Sequence, residues 1–296
     1  MDDRSQTKSN QWLCTNRNSA LLPLATNTNA LLQSLGLLPG LLVPLVLFVW
    51  ILHGLESLIQ QRLARRFGWH SVLLTGWLGT PVHELSHALM CVVFRHEIVE
   101  MALFRPDRNN RRLGYVIHSH NPRNLYQVIG NFFIGIAPVI GGTLVLMGLL
   151  LIFFPETGRA AMLRVDPDQP VWAEVGGSLQ RLLEGLFQPA NLLTIRLWLF
   201  LYLVLCVGSH MGPSGEDYRG AWRGGLWVGL ILLTACLVLA LLVPETGQLR
   251  EWLRAGLVPV LSVMISVVGL VGLAAGGVLA VTGLMDRFRD SAGNRQ

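Results

Sequence analysis

VLLTGWLGTPVHELSHALMCVVF, residues 72–94, is the stretch on which the reading of the chain turns. Its length suits one transmembrane helix, since about 20 apolar residues rising 1.5 Å each cross the hydrocarbon core. The middle of the run nevertheless carries His83, Glu84 and His87. Ionisable side chains at that depth are costly and mark a functional site by default. The spacing H-E-x-x-H puts two imidazoles one helical turn apart on one face, set to grip a single metal ion. Glu84 stands beside them, where it can act on a water at the ion.

Composition sets the surroundings of that helix. The 296 residues are 52% hydrophobic and 14% charged, with a mean hydropathy of +0.48, whereas a soluble domain carries roughly a quarter charged residues. The deficit comes from long apolar runs, so the expected fold is an all-α polytopic membrane protein. Six spans are expected, at about 35–58, 72–94, 126–154, 191–209, 226–243 and 257–285. Together they form a single membrane domain over 31–285, between a polar tail at 1–30 and a C-terminal tail at 286–296. The net charge of +5 rests on arginines scattered over the loops. With no basic face interleaved with aromatics, nucleic acid is not an expected partner. Cys14 lies in the tail, while Cys91, Cys206 and Cys236 sit in apolar runs as small hydrophobes, and no C-x-x-C pair occurs. The N-terminus lacks the short apolar core after a basic start that a cleaved signal peptide requires.

Between the spans the patterns change. Pro39, Gly40 and Pro44 predict an irregular outer half for the first span, and His53 and Glu56 near its end, whose H-x-x-E spacing could supply ligands, read first as interfacial polar groups. QQRLARRFGWH (60–70) reads as a short basic connector. Residues 95–124 alternate around an Asp-Arg-Asn-Asn cluster and predict a small β-hairpin after the H-E-x-x-H helix, with His96, His118 and His120 solvated. The third span contains Gly130, Gly135, Gly141 and Gly142, which allow close helix packing, together with Asn131 and Pro138. These features suit a helix beside the metal and ordinary packing equally. Val171 to Leu186 has helical apolar spacing and is expected along the membrane surface. PETG at 155–158 and again at 244–247 reads as a helix stop. If the N-terminus is cytoplasmic, 14 basic residues fall in inside segments and 8 outside. The positive-inside rule therefore puts both termini in the cytoplasm, in an inner or cytoplasmic membrane.

A catalytic zinc site takes three protein ligands and leaves a fourth position open, so one more ligand must come from elsewhere in the chain. The connector Ser209-His210-Met211-Gly212-Pro213-Ser214-Gly215-Glu216-Asp217 is the best source, provided that it folds partly into the membrane. Gly212, Pro213 and Gly215 permit this. Asp217 is the first candidate, His210 the second and Glu216 the third. With no metal at all, Ser214 as N-cap and Asp217 three residues on would cap the next helix. Glu97 and Glu100 fall in the strand-like segment and are poor ligands.

An intramembrane H-E-x-x-H, followed by a β-like loop, a Gly/Asn/Pro-containing span and a later Asp, resembles the site-2 protease group of membrane zinc metalloproteases. The resemblance covers about 72–243. It implies His83, His87 and Asp217 as ligands of one zinc ion, Glu84 as general base, GIAPVIGG beside the site, and peptide-bond hydrolysis in membrane-protein substrates. The Asp here stands in Gly-Glu-Asp-Tyr-Arg-Gly, where the family has Leu-Asp-Gly. A non-proteolytic scaffold that keeps a metal site is the alternative. A metal transporter is a weaker one, because no ladder of carboxylates runs through several spans.

Overall fold

The computed structural model describes residues 42–110, 112–163, 169–242 and 246–293. Helix α1, Leu42–Phe67, turns Phe48, Leu52, Ile59 and Leu63 inward at helical spacing. It runs straight through the expected connector, because Gln60 to Arg66 are good helix formers that continue the stripe. Only Gly68, at φ +68°, breaks the chain before α2, Trp69–Val93; that left-handed conformation favours glycine. The expected irregularity at Pro39 and Gly40 lies outside the described residues, and Pro44 stands in helical backbone.

At its far end α2 closes in a Schellman arrangement. His96 N–H donates to the Cys91 carbonyl at 2.8 Å and Arg95 N–H to that of Val92 at 3.2 Å, with Arg95 at φ +57°. The expected hairpin follows, with β1 (Glu97–Ala102) antiparallel to β2 (Tyr115–Ser119) and a bulge between Ile98 and Glu100. Asp107 holds the turn by accepting from the Asn109 and Asn110 backbone and from the Asn110 amide. Helix α3, Leu125–Phe153, starts at Asn124, whose side chain accepts from Tyr126 N–H.

Pro155 both stops α3 and opens α4, Pro155–Leu163. Helix α5, Val171–Leu186, packs one stripe against the protein. Its stripe Glu174, Ser178, Leu182 and Leu186 is buried in the protein, and Arg181 Nε ties it to the Ala160 carbonyl of α4 at 2.8 Å. After the short α6, Pro189–Leu192, α7 spans Ile195–Gly208. Helices α8, Gly215–Leu242, and α9, Thr246–Gly293, complete the chain; α9 continues through most of the expected C-terminal tail.

Among the described residues, three helices are long and apolar enough to cross a membrane: α1, α3 and the Arg254–Phe288 part of α9. The expected span at 72–94 is not among them, because its polar residues lower its hydropathy. The run at 226–243 lies in α8 and ends beyond the described residues. Helix α7, at 14 residues, rises only about 21 Å, short of the roughly 30 Å hydrocarbon core. Its early end leaves irregular backbone at Ser209–Ser214, in place to reach the H-E-x-x-H helix.

The chain divides into two compact units. The described part of one, residues 42–43 and Gly229–Arg254 without the three residues 243–245, is helical. The other, Pro44–Val228 with Ala255–Gln296, holds all the residues of the candidate site. Its core is built by α1, α3, α5, α7 and α9, around fully buried Leu52, Leu146, Leu182, Phe200 and Leu270.

Candidate metal centre

His83 and His87 lie one turn apart on α2, with their Nε2 atoms 3.1 Å apart. Each ring is oriented by a backbone carbonyl, which can only accept. His83 Nδ1 donates to the His210 carbonyl at 2.7 Å, and His87 Nδ1 donates to the Ile134 carbonyl at 2.8 Å. This is the outer-shell support usual for histidine ligands, fixing the tautomer and leaving Nε2 as a lone pair. Asp217 Oδ1 stands 3.4 Å from His87 Nε2. One donor atom from each of His83, His87 and Asp217 falls within 4.8 Å of the others. Two ligands of a tetrahedral ion at 2.0–2.1 Å are about 3.3 Å apart, so the donor set suits a small divalent cation. The group can hold a metal ion.

The Ile134 carbonyl is available for a sequence reason. In a helix it would accept from the amide four residues on, but that residue is Pro138, which has no N–H. The carbonyl set free by Pro138 serves His87 instead. On the other side, the irregular connector after α7 has no helical partner for the His210 carbonyl, and His83 takes it. Both supports come from interrupted helices.

Asp217 satisfies both readings of its position. Its Oδ2 accepts from Ser214 N–H at 2.6 Å, and its own N–H donates to Ser214 Oγ at 3.3 Å, which is a capping arrangement for α8. The other carboxylate oxygen faces His87. The remaining ligand candidates point elsewhere. The His210 ring accepts at Nε2 from Gln60 and bonds through Nδ1 toward the Cys206 carbonyl at 3.1 Å, so only its backbone serves the site. Glu216 is exposed and pairs with Arg112 at 3.2 Å. Glu100 accepts from the Tyr115 hydroxyl.

Glu84 is 8% exposed and lines a cleft of about 760 Å³ together with His83, His87 and Asp217. Gly114, just ahead of β2, lies against it. A Cβ there would sit 2.8 Å from Glu84 Cγ and 2.8 Å from the Ala102 carbonyl, so the hairpin reaches Glu84 only with glycine at this point. Thr80, a turn before Glu84, brings to the cleft a buried hydroxyl oxygen with no hydrogen-bond partner. His53 and Glu56 also line the cleft.

The hairpin histidines are not all solvated as expected. His96 is buried; its Nε2 donates to the Gln127 carbonyl at 2.9 Å and its Nδ1 meets His118 Nδ1 at 3.1 Å. Burial first, then neighbouring His96 and His120, pushes the His118 imidazole down to about 4. Burial likewise pushes His96 down. Both rings are neutral at neutral pH, so His118 Nδ1–H can donate to His96. His120 is exposed and bonds to the Asn131 amide at 3.0 Å, which places Asn131 at the hairpin and not at the metal group.

Close helix packing delivers these groups. A Cβ on Gly141 would lie 1.9 Å from Ser86 Oγ, so α3 meets α2 at the H-E-x-x-H turn only through glycine. No protein-family model matches the chain, and no curated protein or solved structure is significantly similar to it.

Proposed function

We propose that the protein is an intramembrane zinc metalloprotease that hydrolyses peptide bonds in or near transmembrane segments of membrane proteins. The observation that carries this reading is the meeting of the His83 and His87 Nε2 lone pairs with Asp217 Oδ1, on the wall of a cleft that also contains buried Glu84. His83, His87 and Asp217 would hold one zinc ion. A zinc ion, when bound, supplies Lewis acidity toward water and toward a carbonyl oxygen.

The chain's own residues do the rest. The Glu84 carboxylate accepts the proton of the attacking water and returns it to the leaving amine. Thr80 Oγ and the edge of β2 that does not pair with β1 would offer hydrogen bonds to a substrate held extended. A helical substrate must unwind first, since its carbonyls are otherwise engaged four residues along. The basic-residue balance supports placing both termini in the cytoplasm.

Metal removal tests the reading. A membrane-embedded model segment is expected to be cleaved by the purified protein, to survive after chelation, and to be cleaved again when one equivalent of zinc is returned. Cleavage that continues in the fully chelated protein would contradict it.

A further inference from the structure

Helix α1 stands outside the helices that supply metal ligands, yet one of its faces turns polar side chains to the connector after α7. Glu56 and Gln60, four residues apart, share that face and both touch the connector after α7. Gln60 Nε2 has two hydrogens and two acceptors to receive them: the Ser209 carbonyl at 2.7 Å and His210 Nε2 at 3.1 Å. These two acceptors fix the orientation of the Gln60 amide. The second bond requires a lone pair on His210 Nε2, so His210 carries its hydrogen on Nδ1, directed at the Cys206 carbonyl. The Glu56 carboxyl group lies against the Gly212 backbone. A Cβ at Gly212 would fall 1.8 Å from Glu56 Oε2, so the carboxylate lies directly on the connector backbone.

Between these anchor points stands the His210 carbonyl, which accepts from His83 Nδ1 at 2.7 Å. The connector is irregular and has no helical ladder to hold that carbonyl in place. We infer that Gln60, assisted by Glu56, is a positioning residue of the metal centre: it clamps Ser209–Gly212 so that the His210 carbonyl aligns the His83 ring. This rests on the metal-centre reading above. In energetic terms, the two Gln60 hydrogen bonds are partly buried, so removing the donors leaves two shielded acceptors without partners and frees the connector to shift. Loss of an outer-shell partner lowers metal affinity 10- to 100-fold in comparable sites. Gln60 acts one bond further out, so the lower end applies.

The test is zinc affinity, measured on purified full-length protein with zinc alone and a competing chelator. Gln60→Met keeps length and helix propensity but removes both donors. It is expected to bind zinc about tenfold more weakly and, loaded with cobalt, to show a shifted ligand-field spectrum. Glu56→Leu, which frees Gly212 and leaves Gln60 in place, is expected to change affinity in the same direction. Gln61→Met, one residue along on the exposed face, is the control and is expected to match the wild type. Wild-type affinity in both Gln60→Met and Glu56→Leu would overturn the inference, as would an equal loss in Gln61→Met. Failure of the wild type itself to bind zinc would instead strike the metal-centre reading.

Discussion

Glu84→Gln is expected to bind zinc as the wild type does and to hydrolyse its substrate about 10²- to 10⁴-fold more slowly, the usual contribution of a positioned acid–base group. The amide has the shape of the carboxylate but cannot take a proton from water. Metal binding should survive, because Glu84 is not among the three residues whose donor atoms converge. Packing should survive as well, because Glu84 Cγ is what Gly114 lies against, and that atom is kept. Single-turnover rates and metal content from the same preparation check both halves. Zinc loss with the activity would make Glu84 a ligand, and undiminished activity would remove it from the chemistry.

Gly79→Val is expected to have the largest effect on stability. A Cβ at position 79 would lie 2.1 Å from the Cys206 carbonyl oxygen and 2.7 Å from His210 Nδ1. The first of these is backbone and cannot swing aside, so α2 and α7 must separate. Overpacking of this kind costs about 1–3 kcal/mol. It would also move the His210 carbonyl away from His83, so weaker zinc binding should accompany the loss. Gly148→Ala, where nothing lies within 4 Å, is the matching control. It should be neutral, or more stable by up to about 1 kcal/mol through helix propensity. Denaturation in detergent with and without zinc separates the two effects. Equal stability of Gly79→Val and the wild type would mean that α2 and α7 are not packed as described.

The chemistry-bearing half of the site was legible because it is local. His83, Glu84 and His87 share one helix, and a helix fixes their relation whatever surrounds it. Asp217 was reachable by asking which polar residue lies in a connector able to bend inward, and the capping arrangement seen as its rival is present as well, on the other carboxylate oxygen. The hairpin followed from strand alternation and the Asp107 turn. Pro138 carried a further signal: the carbonyl four residues before a helical proline is free, and here it is Ile134 that orients His87.

What the sequence could not carry is tertiary. His53, Glu56 and Gln60 look like the end of a span and the start of a basic loop until α1 is seen to continue through them and face the connector. The second ligand candidate, His210, proved to matter through its backbone, a role that leaves no trace in residue type. Amphipathic spacing over Val171–Leu186 shows that a face is buried, but not whether lipid or protein covers it; α4 and the core do. The short α7 was hidden because the apolar run from 191 joins α6 to α7 across the break at Thr194.

The most direct measurement of the central claim is zinc content per chain in the wild type, His87→Ala, Asp217→Ala and His210→Ala, each purified from its membrane and equilibrated with excess zinc. The convergence of His83, His87 and Asp217 predicts one zinc in the wild type and in His210→Ala, which keeps its backbone carbonyl, and loss of the ion in the other two. Full occupancy in Asp217→Ala together with loss in His210→Ala would contradict it.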